Sequence, residues 1–110
     1  MDHEVELNYR LTGHLQQGER VLATLISSQH GIYAATDRRI LGLNNARIGY
    51  CLRIHAYADL ERVECISDGK AWAVRFMAGR RELAVRARSA TEARMFARAA
   101  SERLARATAG

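Results

Sequence analysis

Two pairs of side chains, the histidines and a run of arginines are the groups in this 110-residue chain with the types to do chemistry. Cys51 and His55 stand four apart, which on a strand places them on one face, as a thiol and its base. No third residue is placed to orient the imidazole, so the pair reads as two ordinary strand residues and no catalytic residue is assigned. Cys51 and Cys65 would face each other in a hairpin centred on Ala58. In that register, however, Leu52 and Ile54 share a face with Arg62 and Glu64. Moving it by one aligns the apolar residues and puts the sulfurs on opposite faces, so two free thiols are expected. His3, His14, His30 and His55 are scattered and no CxxC spacing occurs, so neither a metal nor a cofactor is expected.

The arginines are the larger signal. Sixteen of the 17 basic residues are arginine, Lys70 is the only lysine, and the formal charge is +5. Guanidinium forks suit phosphate and carboxylate, yet 19 alanines accompany them, a pairing that a GC-rich genome also produces. Residues 1–68 carry seven basic and nine acidic side chains, and residues 69–110 carry ten and three. Any electrostatic surface therefore belongs to the C-terminal third. The candidate contact cluster is Arg75, Arg86 and Arg88 on the outward side of the last hairpin, with Arg94 and Arg98 on the final helix. Met95, off that helix's apolar face, is a candidate helix contact. Such a cluster suits nucleic acid or acidic lipid. Against nucleic acid, aromatic residues make up 6% of the chain, and Trp72 and Phe76 are needed in the core rather than for base stacking.

The elements that must position these residues follow from periodicity. A length of 110 residues with 48% hydrophobic content fits one domain, 1–110. The longest useful apolar run, Val21 to Ile26, falls far short of the roughly 18 residues of a membrane span. The acidic start, Met1 to Glu6, does not resemble a secretory signal. A cytoplasmic, soluble domain is expected. Leu7, Leu11 and Leu15 form one stripe of a helix over 2–15, ended by Gln16-Gln17-Gly18. Strands fill 19–87: Val21 to Ser28, Ile32 to Thr36, Ile40 to Leu43, Arg47 to Ala56, Glu61 to Ile66, and a final hairpin. Gln29-His30-Gly31, Thr36 to Arg39, Asn44-Asn45 and Ser67-Asp68-Gly69 supply turns, the two asparagines by a left-handed conformation and Asp37 by bonding amides two residues on. Tyr57 to Leu60 makes one helical turn.

With Ala78-Gly79 as a two-residue loop, Trp72 faces Val85, Val74 faces Leu83, Arg75 faces Glu82 and Phe76 faces Arg81. The Arg75–Glu82 pair is of a kind that contributes up to about 1 kcal/mol. Ser89 and Glu92 form a capping box for a helix over 89–107. Its apolar face is Ala93, Phe96, Ala97, Ala100 and Leu104, and Arg103 and Arg106 suit its negative end. The fold class is thus α+β: a seven-stranded antiparallel bent barrel or sandwich capped by a C-terminal helix, with an extra short N-terminal helix.

Residues 15–104 resemble the bacterial pleckstrin-homology (PH)-like domains, in particular the YokE-like group. The resemblance is carried by Leu15 with Gly18-Glu19-Arg20-Val21-Leu22, by Gly31-Ile32-Tyr33-Ala34-Ala35-Thr36-Asp37-Arg38-Arg39-Ile40-Leu41, by Tyr57 to Glu64, and by Val74-Arg75-Phe76, Gly79 and Val85 before an alanine-rich helix. It implies a partly open seven-stranded barrel closed by the last helix, and a protein-interaction or self-assembling module. Phosphoinositide-binding members use basic residues between the first two strands. Here Ser27-Ser28-Gln29-His30-Gly31 holds no lysine or arginine, which argues against that ligand. The expected partner is a protein or a second copy, reached through sheet edges or through the N-terminal helix, expected to lie outside the core and pack on a neighbouring chain. A binder of anionic surfaces is the alternative, and an enzyme the weakest.

Overall fold

The computed structural model describes residues 3–27, 29, 31–67 and 69–109. The expected helix start at Asp2, the 27–31 loop's Ser28 and His30, and Asp68 of the Ser67–Gly69 turn lie outside the described residues. The chain runs α1 (His3–Thr12), β1 (Val21–Ser27), β2 (Gly31–Thr36), β3 (Arg39–Asn45), β4 (Tyr50–Ala56), a 3₁₀ turn (Tyr57–Asp59), β5 (Arg62–Ser67), β6 (Trp72–Ala78), β7 (Arg81–Ala87) and α2 (Ala90–Ala109). The strands form two antiparallel sheets, β1-β2-β3-β4 and β5-β6-β7, the expected seven-stranded sandwich with its C-terminal helix cap.

Alternation in the strands divides the apolar residues into two packed layers. Between the sheets, Leu25, Tyr33, Ile40, Val63, Val74, Phe76 and Val85 meet the stripe Ala93, Phe96, Ala97, Ala100 and Leu104 of α2. The Phe96 ring is fully buried, worth about 2–3 kcal/mol on apolar area. On the opposite face of the first sheet, Leu7 and Leu11 of α1 cover Ile32, Ala34, Leu41 and Leu43. This corrects the expectation that the first helix stands outside the core. Its leucine stripe closes over the chain's own sheet, because β2 and β3 are apolar on both faces and need cover on both.

Four local expectations change. Asn44 and Asn45 stay in β3, paired with Cys51 and Tyr50. The left-handed residue of that turn is Gly49, at φ +76°, where a side chain would be strained. In the last hairpin the loop is Gly79-Arg80, so Val74 faces Val85, Phe76 faces Leu83, and Trp72 faces Ala87. A two-residue slip keeps every side chain on its predicted face, so alternation alone does not distinguish the registers. The choice falls to Gly79, whose φ of +63° suits the first loop position of a type II′ turn. Arg75 accordingly lies opposite Ala84 on one side and Glu64 on the other; Glu82 is a diagonal neighbour at 3.5 Å. Finally, β4 and β5 are not partners: they belong to different sheets.

Side chains of α2 hold two sheet edges. Ser89 accepts the Glu92 amide proton at 3.1 Å, the first half of the expected capping box. The Glu92 carboxylate does not turn back, however. It accepts the Ile26 amide proton of β1 and pairs with Arg88 at 3.2 Å. Ser101 donates to the Val63 carbonyl of β5 at 2.7 Å.

Candidate functional site

The residues singled out by charge do not make one free cationic surface. Arg75 is held by Glu64, with Nε donating at 2.8 Å. The pair draws the Glu64 carboxyl below its ordinary range and raises the Arg75 guanidinium. Arg88 pairs with Glu92, and Arg98 with Glu102 at 3.4 Å. Arg94 lies over the Trp72 ring, 4.7 Å from its centroid, a cation–π contact. Arg86 is exposed on the outward face of β7. Met95 is 62% exposed, as its helical position predicts. Trp72 packs on the core half-buried, while Phe76 is fully inside it.

Among the described residues, the cysteines and histidines do not assemble a reactive centre. Cys51 and His55 lie at opposite ends of β4, about 13 Å apart along the strand, so thiol and imidazole do not meet. Both cysteines are free thiols, Cys51 exposed and Cys65 half-buried, and burial raises the Cys65 pKa. No group of three or more metal-ligating side chains converges among the described residues.

The Thr36-Asp37-Arg38-Arg39 segment turns out to be a structural clasp. Thr36 Oγ1 accepts the amide protons of Arg38 and Arg39 at 3.1 and 3.0 Å, taking the turn role expected of Asp37. Asp37 Oδ1 instead accepts the Arg20 amide proton at 3.0 Å. Glu19, whose side chain has no solvent exposure, is gripped by Arg39 Nε at 3.0 Å and Nη2 at 3.1 Å. It also accepts from the Gln16 amide and, at 2.7 Å, from the Thr36 hydroxyl. The Arg39 hydrogen bonds hold its pKa down at about 2, against desolvation. Arg38 grips Gln16 and Gln17, and Arg103 donates to the Asp37 carbonyl instead of the end of its own helix. The shallow depression beside Arg103 and Arg106 is thus built over cations of which two are already engaged.

The site best formed for a ligand is a cleft of about 530 Å³ between β4 and the β6–β7 hairpin, within the range typical of ligand pockets. Phe76, Ala78, Leu60 and Leu83 make its apolar wall, and Arg53, Arg81, Asp59 and Glu82 its charged rim. Glu82 is drawn toward Arg75. The side chains of Arg53 and Arg81 form no hydrogen bond or ion pair among the described residues. His55 also lines the cleft, its ring centroid 5.6 Å from that of Phe76. Its Nε2 is buried and lacks a hydrogen-bond partner. Desolvation, then the nearby Arg53 charge, lowers its pKa. This arrangement offers apolar contact, two cations, the Asp59 carboxylate and one open hydrogen-bonding position, with no nucleophile beside a base.

Charge counting misses this cleft because its residues come from three separated segments. One available signal is the parity of β4, where Arg53 and His55 are the polar residues on the strand face turned toward the second sheet. No protein-family model, curated protein or solved structure matches the chain.

Proposed function

We propose that the chain is a non-catalytic module of the bacterial PH-like, YokE-like kind that works in the cytoplasm through protein–protein contacts, including contacts between its own copies. One observation carries this reading: α1 is apolar on two opposite sides. Leu7 and Leu11 are 4% and 3% exposed, while Val5 and Tyr9, half a turn away around the helix, are 55% and 81% exposed. A helix that only covered its own sheet would need the first pair alone. The second pair is apolar surface left in water, open to contact with another molecule. Ile54, 53% exposed on the same side of the first sheet, extends this apolar side beyond the helix.

The fold supports the same reading. Seven antiparallel strands in a 4+3 arrangement with a C-terminal helix are what a PH-like domain requires. The anionic-surface alternative draws less support, since Arg75, Arg88 and Arg98 already hold carboxylates and Arg94 an indole ring. Size exclusion with light scattering tests the proposal. The wild-type chain runs above the 12.3 kDa of one copy, with a mass that rises with concentration, and Tyr9→Asp returns it to a monomer. A strict wild-type monomer at high concentration overturns self-association.

A further inference from the structure

Arg53, Ile54 and His55 are consecutive in β4, and all three line the cleft. Successive side chains of a strand point to opposite faces, so a cavity lying over one face would not take all three. A lining of all three fits a cleft that takes in the free edge of the strand. That edge is the last of its sheet, with no described strand beyond it. Two other edges are engaged by α2: Glu92 accepts the Ile26 amide proton of β1, and Ser101 donates to the Val63 carbonyl of β5. Neither α1 nor α2 contributes to the β4 cleft. Over it hangs the inner face of the β6–β7 hairpin, with Phe76, Ala78 and Leu83. Its unsatisfied groups are His55 Nε2 and the guanidiniums of Arg53 and Arg81.

We infer that this slot receives an extended, acidic–apolar peptide segment of another protein, added as a strand to the edge of β4 beneath the β6–β7 hairpin. Main-chain groups of the segment pair with those β4 groups that β3 does not use. Apolar side chains on its inner side rest on Phe76 and Leu83, and a polar group reaches His55 Nε2. Carboxylates on that same inner side meet Arg53 and Arg81, which share the inward parity of His55 and Leu83. The three lining residues of β4 span about 10 Å, so the slot grips roughly three residues of the segment. A second copy is the poorer occupant. Joining β4 to β4 about a two-fold axis would bring two sets of Arg53 and Arg81 to one seam, and like charges repel.

The inference rests on the protein-contact reading above and names the partner's chemistry. Its test is fluorescence anisotropy with labelled seven-residue peptides added to the full chain. A peptide with valine and glutamate in turn at every second position and serine between them binds. Replacing its glutamates by lysine weakens binding by about tenfold or more, and methylating its alternate amide nitrogens abolishes it, since strand pairing needs those protons. Arg53→Ala and Arg81→Ala, both at exposed positions, each weaken it by roughly three- to tenfold, with circular dichroism confirming an unchanged fold. Equal binding of the methylated peptide overturns the strand-addition geometry. No binding at millimolar peptide overturns the inference while leaving self-association through α1 standing. Binding to anionic vesicles that is lost on Arg53→Ala, with no peptide bound, overturns it in favour of a lipid surface.

Discussion

Replacing Glu19 with glutamine removes the charge from a carboxylate whose side chain is wholly enclosed beside the Arg39 guanidinium. The wild-type group titrates at about 2 instead of 4.5, a difference equivalent to about 3 kcal/mol of pH-dependent stability. Because the folded-state pKa is depressed, this contribution is fully present above pH 4.5 and is lost as the pH falls through about 2. Glu19→Gln also leaves Arg39 half-enclosed without a counter-charge, a situation that is strongly destabilising in buried pairs. Urea unfolding at pH 7 is expected to show a loss of about 3 kcal/mol. At pH 3 the gap between wild type and variant narrows by about 2 kcal/mol, because the unfolded wild-type chain is by then protonated at this site. A gap that stays constant between pH 7 and pH 3, or a loss at pH 7 below about 0.5 kcal/mol, refutes the clasp as a source of stability.

Other perturbations probe the rest of the fold. Gly42 faces the Tyr33 ring across the β2–β3 pair, where an added methyl would enter the ring; Gly42→Ala is expected to cost about 1–3 kcal/mol in thermal or urea unfolding. Tyr57 donates to the Thr36 carbonyl at 2.6 Å, and burial raises its pKa from 10.0 to about 12. Its stabilising contribution is therefore intact below pH 10 and lost as the pH climbs through 12, and Tyr57→Phe removes that alkaline dependence while costing about 1 kcal/mol at pH 7. With a thiol-specific reagent at pH 8, two groups react in the native chain, exposed Cys51 ahead of Cys65, whose pKa is raised by burial; simultaneous reaction contradicts the burial difference.

Periodicity carried the architecture: Leu7 and Leu11 of α1, the alternating strands and the Ala93–Leu104 face of α2 appear where their spacing placed them, whereas α1 ends at Thr12, before Gly13, and leaves Leu15 outside the helix expected over 2–15. Partners of individual side chains were less legible, for identifiable reasons. The last hairpin lies two residues from its expected register because the slip preserves both faces, so only the turn geometry at Gly79 separates the registers. Glu92 left its capping box because the unpaired Ile26 amide of β1, 66 residues away, is a competing donor that local spacing does not reveal. Arg75 found Glu64 on β5, a strand that enters the sheet from beyond the hairpin. The cleft followed the same rule: Arg53, Leu60 and Arg81 meet only after two sheets have stacked, whereas Arg86, Arg88 and Arg94, close together in sequence, have other surroundings.

Hydrogen–deuterium exchange at low and high protein concentration, read peptide by peptide, is the most direct measurement of the claim that this module acts through protein contacts. Slower exchange at high concentration is expected over α1, residues 3–12, with no change over the arginines of β7. Concentration-independent exchange along the whole chain, from a species of 12.3 kDa, contradicts it.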